Sequence, residues 1–299
     1  MTGPVSDSHL RQLTADDLAD ALVLSSTAGW NQRIDDWRML LSLAPHGCFA
    51  AWSGDRVIGT AIGIDYGGFG WIAMMLVDPA WRGRGLGRRL LEAAVAAIAP
   101  DRVIRLDATP LGRPLYQSYG FQDEARLTRL VAPAGAREAA ETAGEADSVA
   151  AARPLTMADM PAVAGVDRDV FGGHRRPLLE WALKAAPASG WMVPGNGAVP
   201  QYCLGRRGRL FDQIGPVVAY DDRAARALVS AARRAASDRS LVVDAAEAYP
   251  AFTGWLRTRG FADERPLFRM RLERTPAAPP ASPSGSVPTE FAILGPEFG

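Results

Sequence analysis

Two cysteines in 299 residues, Cys48 and Cys203, are too few and too far apart for a disulfide scaffold or for metal-ligand spacing. A reducing cytoplasm is the expected compartment. Lysine is almost missing. Lys184 stands alone, and arginine supplies every other basic side chain of an Ala-, Gly- and Pro-rich chain, a pattern that reads as coding bias rather than anion binding. Net charge is also missing: 33 basic residues balance 33 acidic ones, so no global field exists to hold nucleic acid or an anionic membrane. No apolar run approaches the roughly 20 residues of a spanning helix, and MTGPVSDSHLRQ lacks the basic-then-apolar order of a secretory leader. A hydrophobic share of 48% and a charged share of 22% leave enough apolar surface for folded cores, and the length favours two of them.

The chain repeats itself. GFQDEARLTRL at 120–130 aligns with GFADERPLFRM at 260–270, sharing Gly, Phe, Asp, Glu, Leu and Arg in register. Upstream, Arg11, Leu13, Thr14 and Asp17 parallel Arg153, Leu155, Thr156 and Asp159. Two homologous domains follow, at 1–131 and 151–273. Between them, 132–150 is small, polar and free of aromatics, as a linker is. Residues 274–299 form a tail whose first part, TPAAPPASPSGSVPT, is expected to run extended. Its end, FAILGPEFG, regains Phe291, Ile293, Leu294 and Phe298, which a solvated tail has no reason to carry, so it is expected to dock.

Within the first copy, 15–27 and 32–43 carry helical patterning, with Asn31 or Asp35 as candidate cap of the second helix. CFAAWS (48–53) and RVIGTAIGI (56–64) flank Gly54-Asp55 and read as a hairpin. A strand at 71–77 closes on Asp78-Pro79. Gly85–Ala99 reads as an amphipathic helix, 102–107 as another strand and 112–119 as a short helix. The succession predicts an α/β layered fold, each copy a mixed, mostly antiparallel sheet flanked by helices.

Arg82-Gly83-Arg84-Gly85-Leu86-Gly87 joins a predicted strand to a predicted helix, with Arg88 and Arg89 following. Glycines let backbone N–H groups turn toward one point, and the helix adds the positive end of its dipole, which makes an anion cradle. A tight glycine turn explains the same spacing when it is taken alone. A P-loop is excluded by the missing Lys-Ser/Thr, and a dinucleotide fold fits poorly. In context, MLVDPAWRGRGLGRRLL at 75–91 resembles the acyl-CoA motif of the GNAT superfamily of N-acetyltransferases. LYQSYGF at 115–121 resembles the helix that carries the usual tyrosine of that superfamily. The resemblance covers 10–130; 151–272 resembles a second, diverged GNAT-like domain of the kind found in a tandem-domain bacterial subset.

The resemblance implies acetyl-CoA (acyl-CoA) as co-substrate, no metal, and direct attack of an amine on the thioester. Backbone N–H groups of Met75, Leu76 and Val77 and the loop Arg82 to Gly87 with Arg88 are the implied donor site. Tyr116 is the implied acid for the departing thiolate, with Tyr119 behind it. The base stays open among Asp35, Asp36, Asp65 and Asp107; Asp107, at a strand end leading to the tyrosine helix, is the catalytic candidate, although such residues are more often turn formers. Trp30, Asn31, Asp35 and Asp65 are candidates for the acceptor pocket, although Trp30 and Asn31 equally suit a staple and a cap. Arg175, beside His174 and Arg176, is a candidate for an anionic acceptor, although an arginine pair is usually a solvated face.

The second copy has lost the machinery. Where the cradle belongs it reads Ala219-Tyr220-Asp221-Asp222-Arg223, and each close carboxylate–phosphate pair would cost about 4 kcal/mol in a poorly solvated site. Leu256 stands in the place of the tyrosine. A structural or acceptor-binding role is expected for the second copy. The expected activity is N-acetyl transfer to a small-molecule or amino-acid-like amine, with no nucleic-acid or membrane partner. An acyl-CoA sensor or scaffold without turnover and a protein-lysine acetyltransferase are the alternatives.

Overall fold

The computed structural model describes residues 8–135, 152–193, 199–236, 239–274 and 288–299. Most of the expected linker, 136–150, and most of the Pro-rich stretch, 275–287, lie outside them. The chain divides into two packing units: of the described residues, 8–123 and 270–274 form the first and the remainder the second. The units differ from the sequence copies at 124–131 and 270–273, so each copy gives the end of its last strand to the other unit.

In the first unit, β1 (Ser8–Gln12), β2 (Cys48–Ser53), β3 (Arg56–Asp65) and β4 (Gly70–Val77) pair antiparallel in sequence order. Helices α1 (Leu18–Thr27) and α2 (Ile34–Leu43) lie between β1 and β2, and α3 (Leu86–Ala96) follows β4. Next come β5 (Ile104–Ala108) and α4 (Arg113–Tyr119). The mixed, mostly antiparallel α/β class is as expected. Strand β1 is missed by the sequence reading, because Ser8–Gln12 has only Leu10 as an aliphatic residue.

Glycines at a spacing of four set how closely α3 meets the sheet. A Cβ at Gly63 would stand 2.1 Å from the Ala94 carbonyl oxygen, and one at Gly59 would stand 2.8 Å from Leu90. Leu90, Leu91, Ala94 and Val95 are buried by that approach. The far end of α3 is tied down by Arg274, which donates to the carbonyls of Val95 (3.3 Å), Ile98 (3.2 Å) and Ala99. The N-terminus of α2 is capped by neither Asn31 nor Asp35. Arg33 is the N-cap residue, and the Asp36 carboxylate, three places on, accepts its N–H at 2.6 Å.

The second unit holds β6 (Gln122–Ala132) from Glu124 onward, β7 (Arg153–Pro154), α5 (Met160–Phe171), α6 (Arg176–Ala185), β8 (Trp191–Val193), β9 (Gln201–Arg206) and β10 (Asp212–Ala219). It continues with α7 (Asp222–Ala235), β11 (Leu241–Ala246), α8 (Pro250–Thr258), β12 (Ala262–Leu272) as far as Arg269, and β13 (Thr289–Ile293). Strand β6 lies antiparallel along β11 from Leu127↔Ala246 to Ala132↔Leu241, and Leu130 and Ala132 enter a core with Leu228, Val243, Phe252 and Phe291. The hydrophobic end of the chain is buried here: Phe291, Ile293, Leu294 and Phe298 are at most 2% exposed.

The repeat is visible atom by atom. Arg11 forks onto Asp17 at 2.7 and 2.9 Å, and the same carboxylate accepts the Thr14 N–H (2.8 Å) and hydroxyl (3.0 Å). Arg153, Asp159 and Thr156 do the same at 3.0, 2.6, 2.9 and 2.8 Å. Strand register repeats as well. Under a shift of 142 places, Gly70 onto Asp212, the β3–β4 pairs Ile64↔Trp71, Gly63↔Ile72 and Thr60↔Leu76 become the β9–β10 pairs Arg206↔Gln213, Gly205↔Ile214 and Tyr202↔Val218.

Candidate active site

The site in the first unit begins with a strand that leaves its neighbour. Strands β4 and β5 run parallel and pair at Gly70↔Ile104 and Trp71↔Arg105 only. Just beyond, the β3–β4 register shifts between Thr60 and Ile62, and Met74 takes φ +50°, a rare conformation for a residue with a side chain. The Thr60 hydroxyl, fully buried, donates to the Met74 carbonyl at 2.8 Å and holds the bulge. Met75, Leu76 and Val77 therefore lie where β4 has parted from β5. Asp107 and Ala108 lie on the other side of the opening, two and three places past the last pair.

Strand β4 then delivers the glycine loop. Asp78 accepts the Ala80 N–H at 2.9 Å to close a single 3-10 turn at Pro79–Trp81, and it pairs with Arg56. Gly83 (φ +73°) and Gly85 (φ +76°) are left-handed, and a Cβ on either would meet nothing within 4 Å, so backbone conformation rather than crowding selects glycine. Gly85 is the N-cap of α3 and offers no side chain to its first turn, whose N–H groups at Leu86, Gly87 and Arg88 have no intrahelical acceptor. Around this end, Arg82 turns its Nε back to the Val77 carbonyl (3.2 Å), and Arg84 lies over Trp81 (4.9 Å). Arg88 pairs with Glu92 (3.0 Å) and lies 5.6 Å from the Tyr119 ring. Unpaired backbone donors with arginines at the rim are the chemistry that suits an anion.

Helix α4 is seated beside the loop: a Cβ at Gly87 would stand 3.4 Å from Leu115. Tyr116 is 7% exposed, and its ring meets Phe121 edge-on at 5.9 Å. Burial pushes its phenol pKa above the ordinary tyrosine value. Gly120, left-handed at φ +110°, ends the helix, with the Phe121 N–H on the Tyr116 carbonyl at 3.0 Å. In the second unit the Phe261 N–H bonds the Leu256 carbonyl at 3.1 Å, which makes Leu256 the counterpart of Tyr116.

The acceptor candidates are dispersed. Trp30 and the buried Asn31 lie in the α1–α2 connection, with the Trp30 N–H on the Ser25 carbonyl (3.0 Å). Asp35 is half exposed and bonded to Arg38 at 2.9 Å. Asp65 pairs with Gly70, at the end of β4 opposite to the loop, about 23 Å away along a strand rising about 3.3 Å per residue. There it accepts the Gly67 N–H (2.8 Å) and sits 3.6 Å from Arg102, so it is a turn residue and not a wall of the pocket. Arg175 is 1% exposed and takes Asp167 (2.8 Å), Glu290 (2.8 Å) and the Gly299 carbonyl (2.8 Å), with Phe171 under its face at 3.6 Å. Its side chain is wholly buried among acceptors of its own chain and is not on the surface to meet an anionic acceptor. Missed by the sequence reading is a cleft of about 380 Å³ between α1 and the end of β4, where Asp20 and Thr27 face Leu76, Val77 and Arg82. Nothing in the helical pattern of 18–27 marks Asp20, which an amphipathic helix places on its wet face in any case.

The second unit lacks the glycine loop and the tyrosine. Asp221 is a side-chain N-cap, accepting the Ala224 N–H at 2.8 Å, so the helix end that would meet a phosphate is closed by a carboxylate. Among the described residues no cluster of three His, Cys, Asp or Glu is arranged for a metal, and no helix is long and apolar enough to cross a membrane.

Comparison with known proteins places both halves. Acetyltransferase (GNAT) domain families match residues 44–123 and, separately, residues 163–281. A Bacillus subtilis (strain 168) protein described as the uncharacterized N-acetyltransferase YitH is 26% identical over 182 residues, which are 60% of this chain and 61% of that protein. A crystal structure of a putative acetyltransferase from Pyrococcus horikoshii covers 100% of this chain and 98% of its own, with TM-score 0.73 and 22% identity. A tandem GNAT protein from the clavulanic acid biosynthesis pathway covers 91% and 100%, with TM-score 0.61 and 16% identity. The bulged strand, the glycine loop and two matched domains agree: the chain belongs to the GNAT acetyltransferase superfamily and carries two GNAT domains in tandem.

Proposed function

We propose that this protein transfers an acetyl (acyl) group from acyl-CoA to the amine of a small-molecule or amino-acid-like acceptor, and that only the first unit does so. The observation that carries the reading is the parting of β4 from β5 at a held bulge, leading directly into a loop of left-handed glycines at a bare helix N-terminus. Such an opening suits an extended thioester arm, and such a loop suits a pyrophosphate.

In this reading the acceptor nitrogen attacks the thioester carbon, the carbonyl oxygen takes the negative charge, and the C–S bond then breaks. Backbone N–H groups at Met75–Val77 meet the oxyanion without reorganising, because the bulge fixes them before substrate arrives. Tyr116 gives its proton to the departing thiolate, and its burial keeps that proton in place at neutral pH. The ammonium proton of the adduct leaves to solvent. Loop N–H groups from Gly83 to Arg88, with Arg82 and Arg84, hold the phosphates. Trp30 and Asn31 border the acceptor side from the α1–α2 connection and Asp35 from the first turn of α2, joined by Asp20 and Thr27 of the α1 cleft.

Asp107 is assigned a positioning role in place of a base. Strand β11 starts its pairing with β10 as β5 does with β4, so Leu241 matches Ile104 and Asp244 matches Asp107. Asp244 is a buried ion-pair residue in a copy with neither cradle nor tyrosine. The test is thiol release from acetyl-CoA over a panel of small amines and amino acids. Turnover on at least one, abolished together with CoA binding when Gly83 and Gly85 become alanine, supports the reading. Tight CoA binding with no turnover on any amine makes the protein a sensor instead.

A further inference from the structure

The gap between the two parallel strands exists in both units, but among the described residues the chain fills it only in the second. Strands β10 and β11 pair in parallel at Asp212↔Leu241 and Gln213↔Val242 and then part, as β4 and β5 do. Strand β13 lies between them, antiparallel to both: on β10 it meets Val217, Val218 and Ala219, and on β11 it meets Asp244 and Ala245. Under the same shift of 142 places that superimposes the β3–β4 register, Val217, Val218 and Ala219 are the counterparts of Met75, Leu76 and Val77. Asp244 and Ala245 are the counterparts of Asp107 and Ala108.

We infer that residues 289–293 are a built-in occupant of the second domain's former acyl-CoA groove, an extended peptide lying where an acyl-pantetheine arm would lie. The chemistry of the two occupants is alike, since both are extended chains that present amide N–H and C=O groups to a strand edge. The groove has been rebuilt for the peptide. At Gly215, with φ +154°, an added Cβ would come within 1.9 Å of the Ile293 carbonyl oxygen, so the position of Ala73 in the first copy must be glycine here. Gln213, wholly buried, donates to Asp244 (3.1 Å) and to the Ile293 carbonyl (3.4 Å), in the place Trp71 holds in the first copy. Beyond the strand, two buried arginines lock it: Arg175 on Glu290, and Arg206 on Glu297. Arg175, a candidate for a ligand anion, thus serves an anion of its own chain.

Two consequences follow. The second domain takes up no acyl-CoA because its groove is filled, and the chain binds one acyl-CoA. The pairing of β13 is also an internal map of the first domain's groove, and it names Asp107 and Ala108 as the wall opposite Met75–Val77.

Hydrogen–deuterium exchange on the full chain is the decisive experiment, and it is independent of whether any acyl-CoA binds. Amides of 289–293 are expected to exchange more than about 100-fold more slowly than in an unstructured peptide, in step with β10; faster exchange overturns the inference. Gly215→Ala and, as a milder change, Glu290→Gln are each expected to speed exchange at 289–293 at least about tenfold while leaving α3 unchanged. No change in either variant overturns it. Equilibrium dialysis of CoA against the full chain is expected to give one site, and two sites would overturn the inference. A result of no site would sink the proposed acyl transfer and leave the exchange data to decide this point.

Discussion

Arg129 lays its guanidinium along the carboxylate of Asp244, Nε at 2.7 Å and Nη2 at 2.8 Å, with both residues buried. Burial works against the arginine's charge, but the carboxylate beside it more than offsets this and holds its pKa above the ordinary value. The pair joins β6, from the end of the first sequence copy, to β11 of the second, and Gln213 adds a third bond to the same carboxylate. Removing one partner strands the other in a dry site. Asp244→Asn is therefore expected to cost about 3–5 kcal/mol of the second unit's stability, measured by urea denaturation. A loss below about 1 kcal/mol would show that water reaches the pair.

The counterpart of Asp244 in the first copy supplies a sharper test. If Asp107 positions the groove wall, Asp107→Asn lowers kcat less than about tenfold and leaves the acid limb of the pH–rate profile where it was, while lowering Tm. A general base gives the reverse: a loss of about 10²–10⁴ in kcat, a vanished acid limb and an unchanged Tm.

Tyr116→Phe removes only the hydroxyl from a ring packed on Phe121. Expected is a fall of about 10²–10⁴ in kcat with CoA affinity retained. Burial raises the phenol pKa above 10, so the proton-donating form persists as pH rises through that value. A basic limb well below pH 10 that disappears in Tyr116→Phe would contradict the assignment. Leu256→Tyr is expected to create no activity, because the groove beside it already holds β13.

How far the sequence carries these results depends on how local each feature is. RGRGLG is legible because left-handed glycines at a helix start are written in consecutive residues, and the two Arg–Thr–Asp sets are legible as a repeat, though not as caps, because seven residues contain each. The burial of FAILGPEFG is legible from its apolar content. Its location is not: β13 fits a gap opened by the register shift in β10, and a period-two pattern does not record where a register breaks. Arg175 reads as a surface arginine because Glu290 and Gly299, which bury it together with the nearby Asp167, come from the far end of the chain. For the same reason the exchange of 124–131 into the second unit is invisible, since the repeat marks ancestry and not packing.

The twin caps predict an acid response that both units share. Hydrogen bonds from Arg11 to Asp17 and from Arg153 to Asp159, helped by the Thr14 and Thr156 donors, hold both carboxyls below the ordinary aspartate range. A depressed folded-state pKa means that the stabilisation is complete above the unfolded value of about 4 and disappears as pH falls through the folded values. Asp17→Asn and Asp159→Asn keep the shape but lose the charge on the arginine fork. Each is expected to cost about 1 kcal/mol at pH 7, a figure reduced for the exposed arginines, and to cost less near pH 2, which lies well below the unfolded value of about 4. Denaturant titrations of both variants beside the parent chain at the two pH values check this. A penalty that stays constant across that range would mean that cap geometry, not ionisation, carries the stabilisation.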